Sequence, residues 1–126
     1  MQNKQLKDIL NLQVDKTMLV KRQQKGNNDE PIHYGVILTT KNTNSDYYLL
    51  HNGYKFGKDQ DFVLVTLKGL SKDWEIQEII VLEKSIKIEV LFSAGCCGQN
   101  MRYHPIHNNS KHAQDRILKK VEEYIK

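Results

Sequence analysis

The chain has 126 residues, 39% of them hydrophobic and 27% charged, with seven glycines, two prolines and a net charge of +4. This length supports one domain with one modest core, and the composition excludes a disordered or collagen-like chain. The basic excess is small and spread along the chain, whereas a nucleic-acid binder of this size would concentrate it on one face, so no nucleic-acid partner is expected.

Residues 4–12 read as a short helix, because Leu6, Ile9 and Leu10 share a face and Asn11 can end it. The polar start Met1-Gln2-Asn3-Lys4-Gln5 lacks the apolar core of a secretory signal, and no apolar run approaches a membrane span. A cytoplasmic protein without a transmembrane segment is expected. Residues 17–21 read as a short strand leading into a polar loop that ends near Glu30. Lys16, Lys21, Arg22 and Lys25, set among Asp15, Asp29 and Glu30, read as a solvated patch in preference to an anion or membrane-surface contact.

After Pro31 the chain turns β-branched and aromatic. Ile32–Thr39, Tyr47–His51 and Phe62–Leu67 read as strands, separated by the loop Thr40–Asp46 and the Asn52-Gly53 turn. Gly69–Asp73 reads as a turn that places Trp74 over a sheet face. Ile79–Leu82 is assigned to a strand on its β-branching, and Ser85–Phe92 to another on the alternation of Ile86, Ile88 and Val90 with Lys87 and Glu89. Gly95-Cys96-Cys97-Gly98 reads as a flexible loop. From Ser110, the residues Ala113, Ile117, Val121 and Tyr124 recur at helical spacing, so a C-terminal helix must dock its apolar side on the sheet. The expected fold is α+β: a single domain, residues 1–126, with an antiparallel sheet of about five strands packed on the C-terminal helix. Residues 1–30 form an accessory segment and 31–126 the core.

If Thr39 and Tyr47 flank their loop as an opposed pair, Gly35 falls opposite His51. His33, Gly35 and Ile37 then share a face with Leu49 and His51, and the two imidazoles become diagonal neighbours, with room beside Gly35 for another element. The bland alternative is a pair of buried sheet histidines satisfied by backbone or water. Ser110 stands where a helix N-terminus offers backbone N–H groups and positive potential to an anion, although serine there is usually an N-cap.

These residues resemble a family. His33-Tyr34-Gly35-Val36 on one strand, Leu49-Leu50-His51 on the next, and Asn108-Asn109-Ser110-Lys111-His112-Ala113 at a late helix start are similar to the circularly permuted NlpC/P60 papain-like proteins. That group includes the lecithin:retinol acyltransferase-like enzymes and the permuted deubiquitinase- and desumoylase-like peptidases. In them a strand histidine precedes a polar residue or second histidine, and the nucleophilic cysteine follows an Asn at the start of a C-terminal helix. The resemblance spans roughly residues 31–125. It implies a permuted papain-like core, with His33 as base, His51 as the residue orienting it, and Ser110 at the cysteine position. Backbone amides of Ser110 and Lys111 are oxyanion-hole candidates.

The implied chemistry is that of a thiol hydrolase, thiol protease or acyltransferase acting on an amide, ester or thioester carbonyl. Its substrates are a peptide, a conjugated protein or an acyl lipid, and no metal or organic cofactor is required. Serine departs from the pattern because it is far harder to ionise than cysteine. The chain is then an inactivated cysteine enzyme, a naturally inactive relative that binds a protein partner, or a serine variant. Tyr47, Tyr48, Tyr54 and Phe56 are candidates to line a binding groove or to fill the core. Cys96, Cys97, His104, His107 and His112 offer metal-ligand chemistry, but adjacent cysteines suit one tetrahedral ion poorly, and no metal is expected.

Overall fold

The computed structural model describes residues 2–23, 31–41, 46–53, 61–97, 102–104 and 106–125. The elements run α1 (Gln2–Leu10), β1 (Gln13–Gln23), β2 (Ile32–Thr40), β3 (Tyr47–Asn52), β4 (Phe62–Leu67), β5 (Glu75–Lys87), α2 (Ile88–Gly95) and α3 (Ser110–Ile125). The strands form one sheet in the order β4-β3-β2-β1-β5, with every neighbouring pair antiparallel. The α+β arrangement is as expected, an antiparallel sheet against the C-terminal helix.

Period-two alternation divides the sheet into two apolar faces. Leu19, Val36, Leu38, Tyr48, Leu50 and Phe62 meet Ile88 and Leu91 of α2 and Ala113, Ile117 and Val121 of α3. On the other face Met18, Val20, Ile37 and Leu49 lie under Trp74, where that side chain was expected. Tyr48 therefore belongs to the helix-side core, while Tyr54 and Phe56, named with it for a groove, lie outside the described residues.

Three readings change. The short strand expected at residues 17–21 runs from Gln13 to Gln23 and lies between β2 and β5, so much of the segment expected as accessory is inside the sheet. Residues 75–87 form one long strand. The strand expected at Ser85–Phe92 gives way at Ile88 to a helix whose Ile88, Leu91 and Gly95 are buried at helical spacing. β-Branching at Ile86, Ile88 and Val90 imitated a strand, but tertiary contact decides the outcome: the Ile88 N–H donates to Leu12 O at 3.0 Å, which starts the helix beside the α1–β1 junction.

The third change concerns the cysteines. Gly95 is the last residue of α2, buried Cys96 caps it, and exposed Cys97 adopts a left-handed φ of 57°, the conformation that commonly ends a helix. These residues form a helix terminus in place of the expected flexible loop; Gly98 lies outside the described residues.

Candidate functional site

Strand register brings the two histidines together. Gly35 pairs with His51 and Ile37 with Leu49, so His33 and His51 project from the same face as expected. His33 Nε2 lies 2.9 Å from His51 Nδ1, with the ring planes at 66°. A Cβ on Gly35 would come within 2.9 Å of Leu49 Cδ1 and 3.6 Å of His51 Cβ. The space above Gly35 is thus filled from within the sheet by Leu49 and His51, and does not serve as the expected opening for another element.

Trp74 and Arg22 enclose the pair on this face. The Trp74 ring centroid is 6.0 Å from that of His33, and the Arg22 guanidinium lies 4.5 Å above the indole. His33 is 0% and His51 9% exposed. Burial, with a smaller contribution from Arg22, lowers His33 from 6.5 to about 4. Burial, then His33 and Arg22, lower His51 to about 3. Both imidazoles are therefore neutral at neutral pH.

Neutral imidazole has one donor and one acceptor nitrogen, so one hydrogen lies between the two rings. When His33 Nε2–H donates to His51 Nδ1, the His33 lone pair is at Nδ1. When His51 Nδ1–H donates to His33 Nε2, the hydrogen of His33 is at Nδ1.

Ser110 approaches from α3. The β2–β3 register runs from Leu38 opposite Tyr48 to Gly35 opposite His51. Just beyond this run, the Tyr34 N–H donates to Ser110 Oγ at 3.0 Å, and Asn52 Nδ2 donates to Asn108 O at 3.1 Å. The start of α3 is thus tied to both strands next to the histidines. Tyr34 N is two bonds from His33 Cα, so Ser110 Oγ lies within about 5.5 Å of that carbon. The body of α3 packs on the opposite face, among Val36, Leu38 and Leu50, so Ser110 meets β2 at its backbone.

The N-cap of α3 is Asn109, which relieves Ser110 of that role. Asn109 Oδ1 accepts from Lys111 N at 3.0 Å and His112 N at 3.1 Å, while His112 Nδ1 accepts from Asn109 N at 3.0 Å. This is a reciprocal capping box with histidine in the usual Glu or Gln position. It engages the Lys111 amide, one of the two oxyanion-hole candidates, and leaves the hydroxyl of Ser110 directed at β2. Replacing Asn109 with Ala is expected to lower stability by about 1–2 kcal/mol in urea unfolding, whereas Asp, which keeps the acceptor, retains most of it.

The sequence reading missed the residues that hold this loop in place. Asn108 Nδ2 donates to Arg102 O, and Asn108 Oδ1 accepts from Arg116, which also donates to Gly95 O. Gln114, 2% exposed, places Nε2 at 3.0 Å from Val20 O, Gly35 O and Gln77 Oε1, tying α3 to three strands. A polar residue on the buried stripe of a helix, between Ala113 and Ile117, was the available signal.

Of the other ligand-type side chains among the described residues, only those of His104 and His107 adjoin one another. His104 Nδ1 accepts from Ile106 N and His107 N within a turn, and the His104 and His107 rings stack at 4.6 Å. His112 serves the cap, and Cys96 donates its thiol hydrogen to Phe92 O. Among the described residues, no group of three or more His, Cys, Asp or Glu side chains is placed to hold a metal ion. Among them, too, no helix is long and apolar enough to cross a membrane.

The chain matches no protein-family model, no curated protein and no solved structure. Its functional reading therefore rests on the geometry of His33, His51 and Ser110.

Proposed function

We propose that this chain is an acyl-transfer scaffold of the permuted papain-like kind, related to thiol hydrolases and acyltransferases, with Ser110 at the nucleophile position. The observation that carries the reading is the meeting of three sequence-distant segments: His33 against His51 at 2.9 Å, and Ser110 Oγ on the adjoining Tyr34 amide at the start of α3. In the reaction, residue 110 turns from the Tyr34 amide to attack an amide, ester or thioester carbonyl and His33 takes its proton. The Ser110 backbone N–H and the N-terminal field of α3 stabilise the oxyanion. His33 then protonates the leaving group, and water repeats the sequence to release the acyl product.

The same geometry makes the serine form a poor catalyst. An imidazolium at His33 is opposed by burial and by Arg22, and neutral His51 supplies no negative charge to stabilise it. A serine hydroxyl needs that proton transfer far more than a thiol does. The chain is therefore assigned as impaired or inactive in turnover, with an active form carrying cysteine at position 110.

The burial of all three side chains favours a second reading, a catalytically inactive module that binds a protein partner: Ser110 is 1% exposed and His33 0%. One experiment separates the two readings. Ser110→Cys is titrated by thiolate ultraviolet absorbance, which needs no probe access, and its alkylation is followed by site-resolved mass spectrometry. On the acyl-transfer reading the thiol proton passes to His33 and the α3 N-terminus faces the sulfur, so the thiolate forms below the ordinary range for cysteine, and His33→Ala raises that titration and slows the alkylation of position 110. A thiol of ordinary ionisation, indifferent to His33, together with no turnover of ester or peptide-amide substrates, rejects the acyl-transfer reading. A saturable protein partner retained by His33→Ala then supports the binding module.

A further inference from the structure

β5 is an outer strand of the sheet and runs for 13 residues. Its Ile76, Ile79 and Val81 are 44%, 51% and 69% exposed. They register against Val20, Met18 and Lys16 of β1, which places them together on the Trp74 face. Along the edge of the same strand a groove of about 440 Å³ is lined by Ile80, Val81, Glu83 and Lys84 and by the end of α3 at Tyr124 and Ile125. Outer strands are normally blunted by short length, charged side chains or bulges; β5 carries charges and bulges, but it is long and its exposed Ile and Val offer an apolar edge for pairing.

The charge pattern along β5 selects the partner. Its first half carries Glu75 and Glu78, and its second half carries Lys84 and Lys87 beside Glu83. Among the described residues, neither Glu78 nor Lys84 belongs to an ion pair, and Glu75 meets only the half-exposed Lys21, at 3.6 Å. A parallel copy would set like charges side by side. An antiparallel copy sets the acidic half of each strand against the basic half of the other, and does so twice by symmetry.

We propose that β5 pairs antiparallel with β5 of a second copy of this chain, about a twofold axis near Val81, to give one continuous sheet across the dimer. The ladder with β1 slips at Gln77 and again between Val81 and Ile86, and an axis at Val81 sets the regular run 78–81 of each strand opposite residues 81–84 of the other. The Val81 side chains of the two copies then oppose one another on the Trp74 face, with Ile79 diagonal to that pair and opposite Glu83 of the second copy, while Glu78 faces Lys84 across the axis. Tyr124 and Ile125 wall the groove along this edge, beside the second strand.

The test uses the full chain in sedimentation velocity from about 1 to 200 μM, across the range in which interfaces of modest size dissociate. A concentration-dependent dimer is expected. Val81→Lys, at a solvent-exposed position, is expected to leave a folded monomer by circular dichroism. Glu78→Lys and Lys84→Glu each weaken association by about tenfold or more, and the two together restore it, as only an antiparallel pairing permits. Oxidised Val81→Cys is expected to yield a disulfide between the two copies at position 81. A monomer at every concentration overturns the proposal, as does a dimer indifferent to Val81→Lys. A folded double charge swap that stays as weak as the single changes also overturns it, and a monomer that takes up an added β-strand peptide at this edge assigns the surface to a foreign strand instead.

Discussion

Lowering the pH from about 7.5 to about 5 is expected to remove about 4 kcal/mol of folding stability through His33 and His51 alone. Both folded values, about 4 and about 3, lie below pH 5, so both rings stay neutral in the folded protein across this range. In the unfolded chain each ring has the ordinary value of 6.5 and is almost fully protonated at pH 5. The unfolded state therefore binds more protons, and stability falls with pH in the window below 6.5. Each ring contributes about 2 kcal/mol by pH 5, at about 1.4 kcal/mol per pH unit over the interval in which only the unfolded form is charged. Above 6.5 neither state binds these protons, and the contribution is constant.

Urea unfolding at the two pH values checks this expectation. The variant His33→Asn/His51→Asn should lose most of the pH dependence between about 5 and 6.5, even though its stability at neutral pH is lower. A wild-type curve flat across that interval would mean that the imidazoles accept protons in the folded state, and so are neither as buried nor as close to Arg22 as the structure places them.

The hairpin that carries the histidines was legible because its signal is local. Strand register follows from period-two alternation and loop length, and the opposition of Thr39 and Tyr47 is enough to bring Gly35 against His51, as the structure has it. The helix from Ser110 was legible for the same reason, its period being long and regular. Ile88–Gly95 was not, because Ile88 and Val90 continue the strand-like alternation of Ile86 while Ile88 and Leu91 also fit helical spacing, and the choice is made by burial of Ile88 and Leu91 against α3 and the sheet.

The connections around the site were hidden for a different reason. Asn52, Gln114 and Arg116 bond to the backbone carbonyls of Asn108, Val20 and Gly95, which lie 56, 94 and 21 positions away. No periodicity reports such pairs. The cap at Asn109 differs from both cases. Its bonds are local, and Asn109 with His112 three residues on is a visible capping spacing, but serine at the next position competed for the same role.

Replacing Gly95 with alanine is expected to lower stability by about 2–3 kcal/mol through a single steric conflict. A Cβ at this position would lie 2.2 Å from Phe62 Cζ and within 2.8 Å of two further atoms of that ring. Phe62 cannot swing into solvent, because it is 2% exposed and packs against Phe92 at 5.1 Å. It is also the strand partner of Asn52, whose side chain holds the carbonyl of Asn108 ahead of Ser110, while Gly95 O anchors Arg116 and through it Asn108. The strain therefore falls on two supports of the same loop. Phe62→Leu removes the clashing ring and leaves a smaller core, so alone it should lower stability by about 1–2 kcal/mol. In the double variant the two losses should fall short of their sum by at least about 1 kcal/mol, since the alanine methyl then occupies space the ring has vacated. Urea unfolding of the four proteins measures this coupling, and strict additivity would place the ring elsewhere and remove the mechanical link between α2 and the loop that carries Ser110.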